Sequence, residues 1–150
     1  MVPLEALIIS ILPVSELRVA IPLAIYYGVN PFLAFLFCSL ANIVPVPFIL
    51  LALEKIEKLI EKTPFEKIYR KIVERVEKKK TVIEKYGYAG LVIFVGIPLP
   101  ATGAWTASLL AFLLRLNKFK AFVYIALGVF LAGTIVTLAS LGVLNFKKII

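Results

Sequence analysis

The chain reads as an all-α integral membrane protein: an inverted repeat of a re-entrant helical hairpin plus a transmembrane helix, with amphipathic helices between the repeats. Three observations predict this class. Apolar residues fill 61% of 150 positions and mean hydropathy is +0.99, more apolar surface than one soluble domain of that size can hide. They fall in four blocks, 2–28, 32–53, 87–114 and 119–144, each long enough for the ~20 residues of a spanning helix. The first and third blocks are broken midway, and the chain repeats itself at a shift of 87 residues.

Block one holds two apolar runs of about eleven residues, each roughly half of a ~30 Å hydrocarbon core. Between them lies Pro13-Val-Ser15-Glu16, followed by Leu-Arg18. Proline ends the first run, and Ser15 is a good N-cap for the second. Two half-length helices joined by a polar turn describe a hairpin that enters and leaves on one side. The alternative is one kinked spanning helix carrying a Glu–Arg pair. Glu16 and Arg18 are the charges inside an apolar stretch, and a charge at bilayer depth costs at least ~2.5–3.5 kcal/mol, so such residues usually face a cavity and mark a pathway.

Asn30-Pro31 starts a spanning helix over 31–53, Asn as cap and Pro at its first position. Asn42, Pro45 and Pro47 lie midway; prolines free backbone carbonyls, which suits a cavity wall or a simple packing kink. Segment 54–86 is amphipathic, with eleven Lys/Arg and seven Glu opposite an apolar stripe at helical spacing. Thr63-Pro64-Phe65-Glu66 is a capping box that starts its second helix, and Gly87 is a C-terminal stop. Hairpin 88–114 repeats the first: Pro98-Leu-Pro100-Ala-Thr102-Gly103 breaks it, Thr102 stands where Ser15 does, and Trp105 near the tip either lines a pathway or packs. The last helix, 118–145, carries Gly128, Gly133, Thr134, Thr137 and Ser140, small residues that permit close helix contact.

The 87-residue shift matches Pro13 to Pro100, Ala20 to Ala107, Asn30 to Asn117 and Phe35 to Phe122, with Ser15 on Thr102; the breakers coincide, which marks a real repeat. Repeat one is then 1–53, hairpin 2–28 and helix 31–53; repeat two is 87–150, hairpin 88–114 and helix 118–145. One spanning helix between two hairpins inverts the second unit relative to the first, the arrangement that places a substrate site at the midplane. Segment 54–86 with Arg115, Lys118 and Lys120 carries 14 Lys/Arg against Lys147 and Lys148 at the far end, so it is expected in the cytoplasm, with both termini outside. Four full spans are the rival topology. In the inverted case the N-termini of the second half-helices converge from opposite sides and offer N–H groups to an anion. Arg18 strengthens that site, while Glu16 holds a cation or carries a proton, or merely pairs with Arg18. Pro13, Ser15, Asn42, Pro100, Thr102, Gly103 and Trp105 are the expected substrate-binding residues at the tips and cavity wall.

Other classes are disfavoured. The net charge of +8 comes without an aromatic-basic module for nucleic acid. The chain has no His and one Cys, Cys38, so neither a transition-metal site nor an intrachain disulfide is expected. No nucleophile–base set is present, so no enzyme and no cofactor are expected. The N-terminus lacks a basic n-region and a cleavage signal, so block one is kept as structure.

Three runs, Pro13-Val-Ser-Glu16-Leu-Arg18-Val-Ala-Ile-Pro22, Ala41-Asn42-Ile-Val-Pro45-Val-Pro47 and Ile97-Pro-Leu-Pro100-Ala-Thr102-Gly103-Ala-Trp105, resemble the small multidrug export protein family of prokaryotic membrane proteins, related to the DedA superfamily. The resemblance covers nearly the whole chain. Val19, Ala101 and Ala107 stand where that family often has Gly. DedA relatives are proton-dependent transporters, some of lipid phosphates, but their paired arginines in the second hairpin have no match at 98–105. The family name implies drug export. The repeated broken helices and the intramembrane charge point to a small plasma-membrane secondary transporter, proton-coupled through Glu16, that exports an amphipathic or lipid-like molecule. Two spanning helices with two hairpins are few to enclose a path, so a homodimer is expected. An anionic-lipid flippase or scramblase, and a non-transporting scaffold, are the competing readings.

Overall fold

The computed structural model describes residues 2–13, 15–60, 66–78, 81–99 and 102–149. Every regular element among them is a helix: α1 (Leu4–Ile11), α2 (Glu16–Tyr26), α3 (Pro31–Ile43), α4 (Pro45–Ile60), α5 (Glu66–Glu77), α6 (Thr81–Tyr86), α7 (Tyr88–Gly96), α8 (Ala104–Leu113) and α9 (Lys118–Ile149). The capping box at 63–66 falls largely outside the described residues, as does Pro100. The single helix expected from Pro64 onward corresponds to α5 and α6 among the described residues, with 79–80 between them outside those residues.

Two stretches are long and apolar enough to cross a membrane, Pro31–Leu53 with 23 residues and Lys118–Val143 with 26, about 35–39 Å of helix. The first joins α3 to α4 through Val44, which keeps helical φ −50° and ψ −46°, so Pro45 interrupts the hydrogen-bond ladder without ending the rod. Asn30 caps α3 as its sequence predicts, its Oδ1 accepting the Phe32 N–H at 2.9 Å. These two rods run antiparallel: Pro31 and Phe32 at the start of α3 share a groove with Thr137 and Leu141 of α9, while Leu50 and Leu51 of α4 share one with Lys118 and Phe119. They touch midway, where a Cβ on Gly133 would come within 2.6 Å of Ser39 Oγ and 3.1 Å of the Phe35 ring. Gly128 does the same for α7, whose Val95 Cβ lies 2.7 Å from the Cβ it lacks. Thr134, Thr137 and Ser140 instead turn their hydroxyls back to carbonyls four residues earlier on α9.

The four half-helices, α1, α2, α7 and α8, have 8, 11, 9 and 10 residues, about 12–17 Å each. α1 packs on α2, and α7 meets α8; α2 lies on α3 and α9, while α8 lies on α4 and α9. Both second halves end alike. Gly28 takes φ +80° and Arg115 φ +53°, and the Val29 and Leu116 N–H groups reach back five residues to the Ala24 and Ala111 carbonyls, a Schellman close. Gly28 and Arg115 are 87 residues apart, as are Asn30 and Asn117, each of which caps the helix that follows. The core between the half-helices and the rods combines large side chains such as Ile21, Leu91, Leu110 and Ile125 with small ones, Ala20, Ala24, Ala34, Ala107, Ala111 and Ala121, which let backbones approach closely.

Candidate functional site

The tips of the two hairpins meet, and the charged pair lies at their junction. Glu16 opens α2 with φ +48°, a left-handed conformation that costs a non-glycine residue about 1–2 kcal/mol. That backbone turns its side chain across to the other hairpin. The carboxylate is buried, only 6% exposed, and sits directly on the Cα of Gly103 in the volume any side chain there would fill. The Ala104 and Trp105 backbone N–H groups donate to it. Gly103 is the N-cap residue of α8 and has no side chain to offer, so the first free N–H groups of that helix find their acceptor in a carboxylate from α2.

Arg18, one half-turn further along α2, completes the junction. Its Nη1 lies 3.8 Å from Glu16 Oε2, and its Nη2 donates to Thr102 Oγ1 at 3.1 Å. Thr102 in turn shares its proton between the Leu99 and Ile97 carbonyls, at 2.7 and 3.0 Å, fixing the turn before α8. On the other side, Trp105 Nε1 donates to the Ile11 carbonyl at 2.9 Å. Asn42 Nδ2 donates to the adjacent Ser10 carbonyl at 2.9 Å, and Ser10 Oγ donates to the Cys38 carbonyl. The last free carbonyls of α1 are thus met by α8 and α3, which buried backbone in an apolar surround requires.

Two sequence expectations need correction here. Neither Ser15 nor Thr102 caps its helix through its side chain; Thr102 serves the turn and Arg18 instead. The N-terminus of α8 is also not open to an external anion, because the chain's own Glu16 fills it. Pro13 and Trp105 both line one cavity. Asn42 is buried between α1 and α3 and faces neither large cavity. Sequence reasoning did not find the roles of Ile11 and Gly103 as partners; the signal available was that the 87-residue shift lays Glu16 on Gly103 and Arg18 on Trp105.

A large open cavity lies on each side of the junction. The first, about 700 Å³, is lined by Arg18, Val19 and Pro22 of α2, Pro98, and the 135–143 stretch of α9. The second, about 770 Å³, is lined by Trp105, Thr106 and Leu109 of α8, Ile11, Pro13, and the 44–53 stretch of α3–α4. Both have the size of ligand sites for drug-sized molecules. Eight lining positions correspond at the 87-residue shift, among them Arg18 with Trp105, Val19 with Thr106, Ile11 with Pro98 and Ala52 with Ala139. Because the rods are antiparallel, the two cavities lie toward opposite ends of the bundle.

Two apolar rods of spanning length, flanked by half-helices whose tips carry a buried charge pair between two cavities, give an all-helical protein with two candidate membrane spans. The model of the family described as "Putative small multi-drug export protein" matches residues 16–135, and the chain belongs to that family. No curated protein and no solved structure matches it. The matched stretch starts on Glu16 itself and takes in Arg18, the second tip, the whole first rod and most of the second.

Proposed function

We propose that this protein is a small proton-coupled secondary exporter of amphipathic or lipid-like molecules, with Glu16 as the coupling residue. The observation that carries this reading is the Glu16 carboxylate bridging the two hairpins. In the unprotonated state it accepts from the start of α8 and faces Arg18, so it ties the tips together. Adding a proton removes the charge that holds Arg18 and the α8 N-terminus, and the tips are free to part. The two equivalent cavities are then the alternate-access vestibules of an inverted repeat, each hairpin re-entering from its own side. The Lys-rich 54–86 segment is cytoplasmic on this reading, and the chain sits in the plasma membrane with both termini outside. Two rods and two hairpins enclose little volume, so the working unit is a homodimer. The proton dependence agrees with what the DedA resemblance implies.

A pH gradient imposed on proteoliposomes drives efflux of an amphipathic dye by the unaltered protein. Glu16→Gln keeps the side chain's shape but not its titration, and abolishes gradient-driven efflux while the protein stays folded; undiminished efflux rejects the coupling role. One observation favours a second reading, anionic-lipid flipping: Arg18 is a cation on the wall of an otherwise apolar cavity. Lipid translocation that ignores the pH gradient and needs Arg18 selects that reading.

A further inference from the structure

We propose that the groove between the end of α4 and the start of α9 binds a phospholipid with an anionic headgroup. This inference does not rest on the transport reading. Two depressions adjoin there. One, about 260 Å³, is an apolar trough lined by Pro47, Leu51, Phe119 and Phe122. The other, about 100 Å³, is lined by Phe112, Arg115 and Leu116. Leu50 and Lys118 line both, so a trough of acyl-chain character runs into a small pocket flanked by two cations. The Arg115 guanidinium lies 5.5 Å from the centre of the Phe112 ring, which holds it at the mouth of the pocket.

The other end of the molecule supplies an internal comparison. Where the start of α3 meets the end of α9, a trough of about 280 Å³ is lined by Pro31, Phe32, Phe35, Thr137 and Leu138. Six of its positions correspond to the first trough at the 87-residue shift. Phe32 and Phe35 stand for Phe119 and Phe122, and Leu138 for Leu51, so the aromatic walls are kept. The mouth is what differs: Gly28 and Pro31 stand where Arg115 and Lys118 stand. Crossing of two antiparallel rods gives the trough at both ends; the cations are added at one. An acyl chain alone has no use for them, and a free phosphate has no use for the trough. A lipid with a charged phosphate headgroup uses both, with each basic residue near such a headgroup contributing attraction.

Arg115 and Lys118 also have partners within the chain, so two explanations compete with the lipid site. Either the cations only orient the chain in the membrane, in which case any two cations at that end are equivalent, or they only serve those internal contacts, in which case phosphatidylglycerol is retained no better than phosphatidylcholine. The test is native mass spectrometry of the full chain in detergent, titrated with phosphatidylglycerol or phosphatidylcholine. One phosphatidylglycerol is retained per chain in preference to phosphatidylcholine, and Arg115→Gln with Lys118→Gln weakens it by roughly 30-fold. Lys85→Gln with Lys120→Gln removes the same charge from cations that lie over Tyr86 and Tyr88 and leaves retention within a few-fold. Equal losses in the two double variants overturn the site, as does competition by glycerol phosphate as effective as that by the intact lipid. In the unaltered protein, phosphatidylglycerol with a photoreactive acyl chain labels Phe119 or Phe122; equal labelling at Phe32 or Phe35 also overturns it.

Discussion

The Glu16 carboxylate rests on the Cα of Gly103, and these two residues hold the same place in the two repeats. The 87-residue shift that lays Pro13 on Pro100 and Asn30 on Asn117 lays Glu16 on Gly103, so the contact joins corresponding positions of the two halves of the chain. One repeat provides the acid there and the other provides the space for it.

That contact makes Gly103 intolerant of any side chain. Gly103→Ala drives a methyl group into the carboxylate, and the expected loss is about 1–3 kcal/mol, typical of overpacking. Thermal unfolding in detergent measures it. Gly142→Ala, where nothing lies within 4 Å of the added carbon, leaves the transition unchanged or slightly raised. In a Glu16→Ala background the Gly103→Ala penalty shrinks, because the two residues contend for one volume; full additivity contradicts the contact.

Arg18 is the counter-charge of a buried acid, so its removal costs more than that of a surface ion pair. Arg18→Met leaves Glu16 buried without its cation and frees Thr102 of its donor; a loss of about 3 kcal/mol is expected, as for a broken buried pair. Pairing Arg18→Met with Glu16→Gln recovers part of it. A double variant as unstable as the sum of the singles shows the pair to be uncoupled.

Trp105 and Asn42 each satisfy one free carbonyl at the end of α1. Trp105→Phe keeps an aromatic ring but removes the donor together with part of the indole's bulk, with an expected loss of at least roughly 1–2 kcal/mol, the cost of the orphaned carbonyl alone. Hydrogen exchange localises the effect: amides of α1 and the turn after it exchange faster, and those of α9 do not. Uniform acceleration contradicts the assignment.

The features legible in the sequence are those set by local chemistry. Asn30-Pro31 starts α3 because a side-chain acceptor and a fixed φ act on their own neighbours, and Pro13 and Pro98 stop helices for the same reason. Gly128 and Gly133 were readable as close-contact residues, though the helices they touch were not. The capping of α8 was misread at Thr102 because the acceptor that matters, Glu16, lies 87 residues away, where only the packed fold brings it. Asn42 has the composition of a cavity wall, yet it is turned toward Ser10, a direction set by where α1 docks on α3.

Alternate access through an inverted repeat requires the two cavities related by the 87-residue shift to open on opposite faces of the membrane. Val19→Cys and Thr106→Cys place a thiol at corresponding positions of the two linings, each in a Cys38→Ala background, with a membrane-impermeant maleimide applied to intact cells and to inverted vesicles. Val19→Cys is expected to label from the outside and Thr106→Cys from the inside. Labelling of both from one side contradicts alternate access.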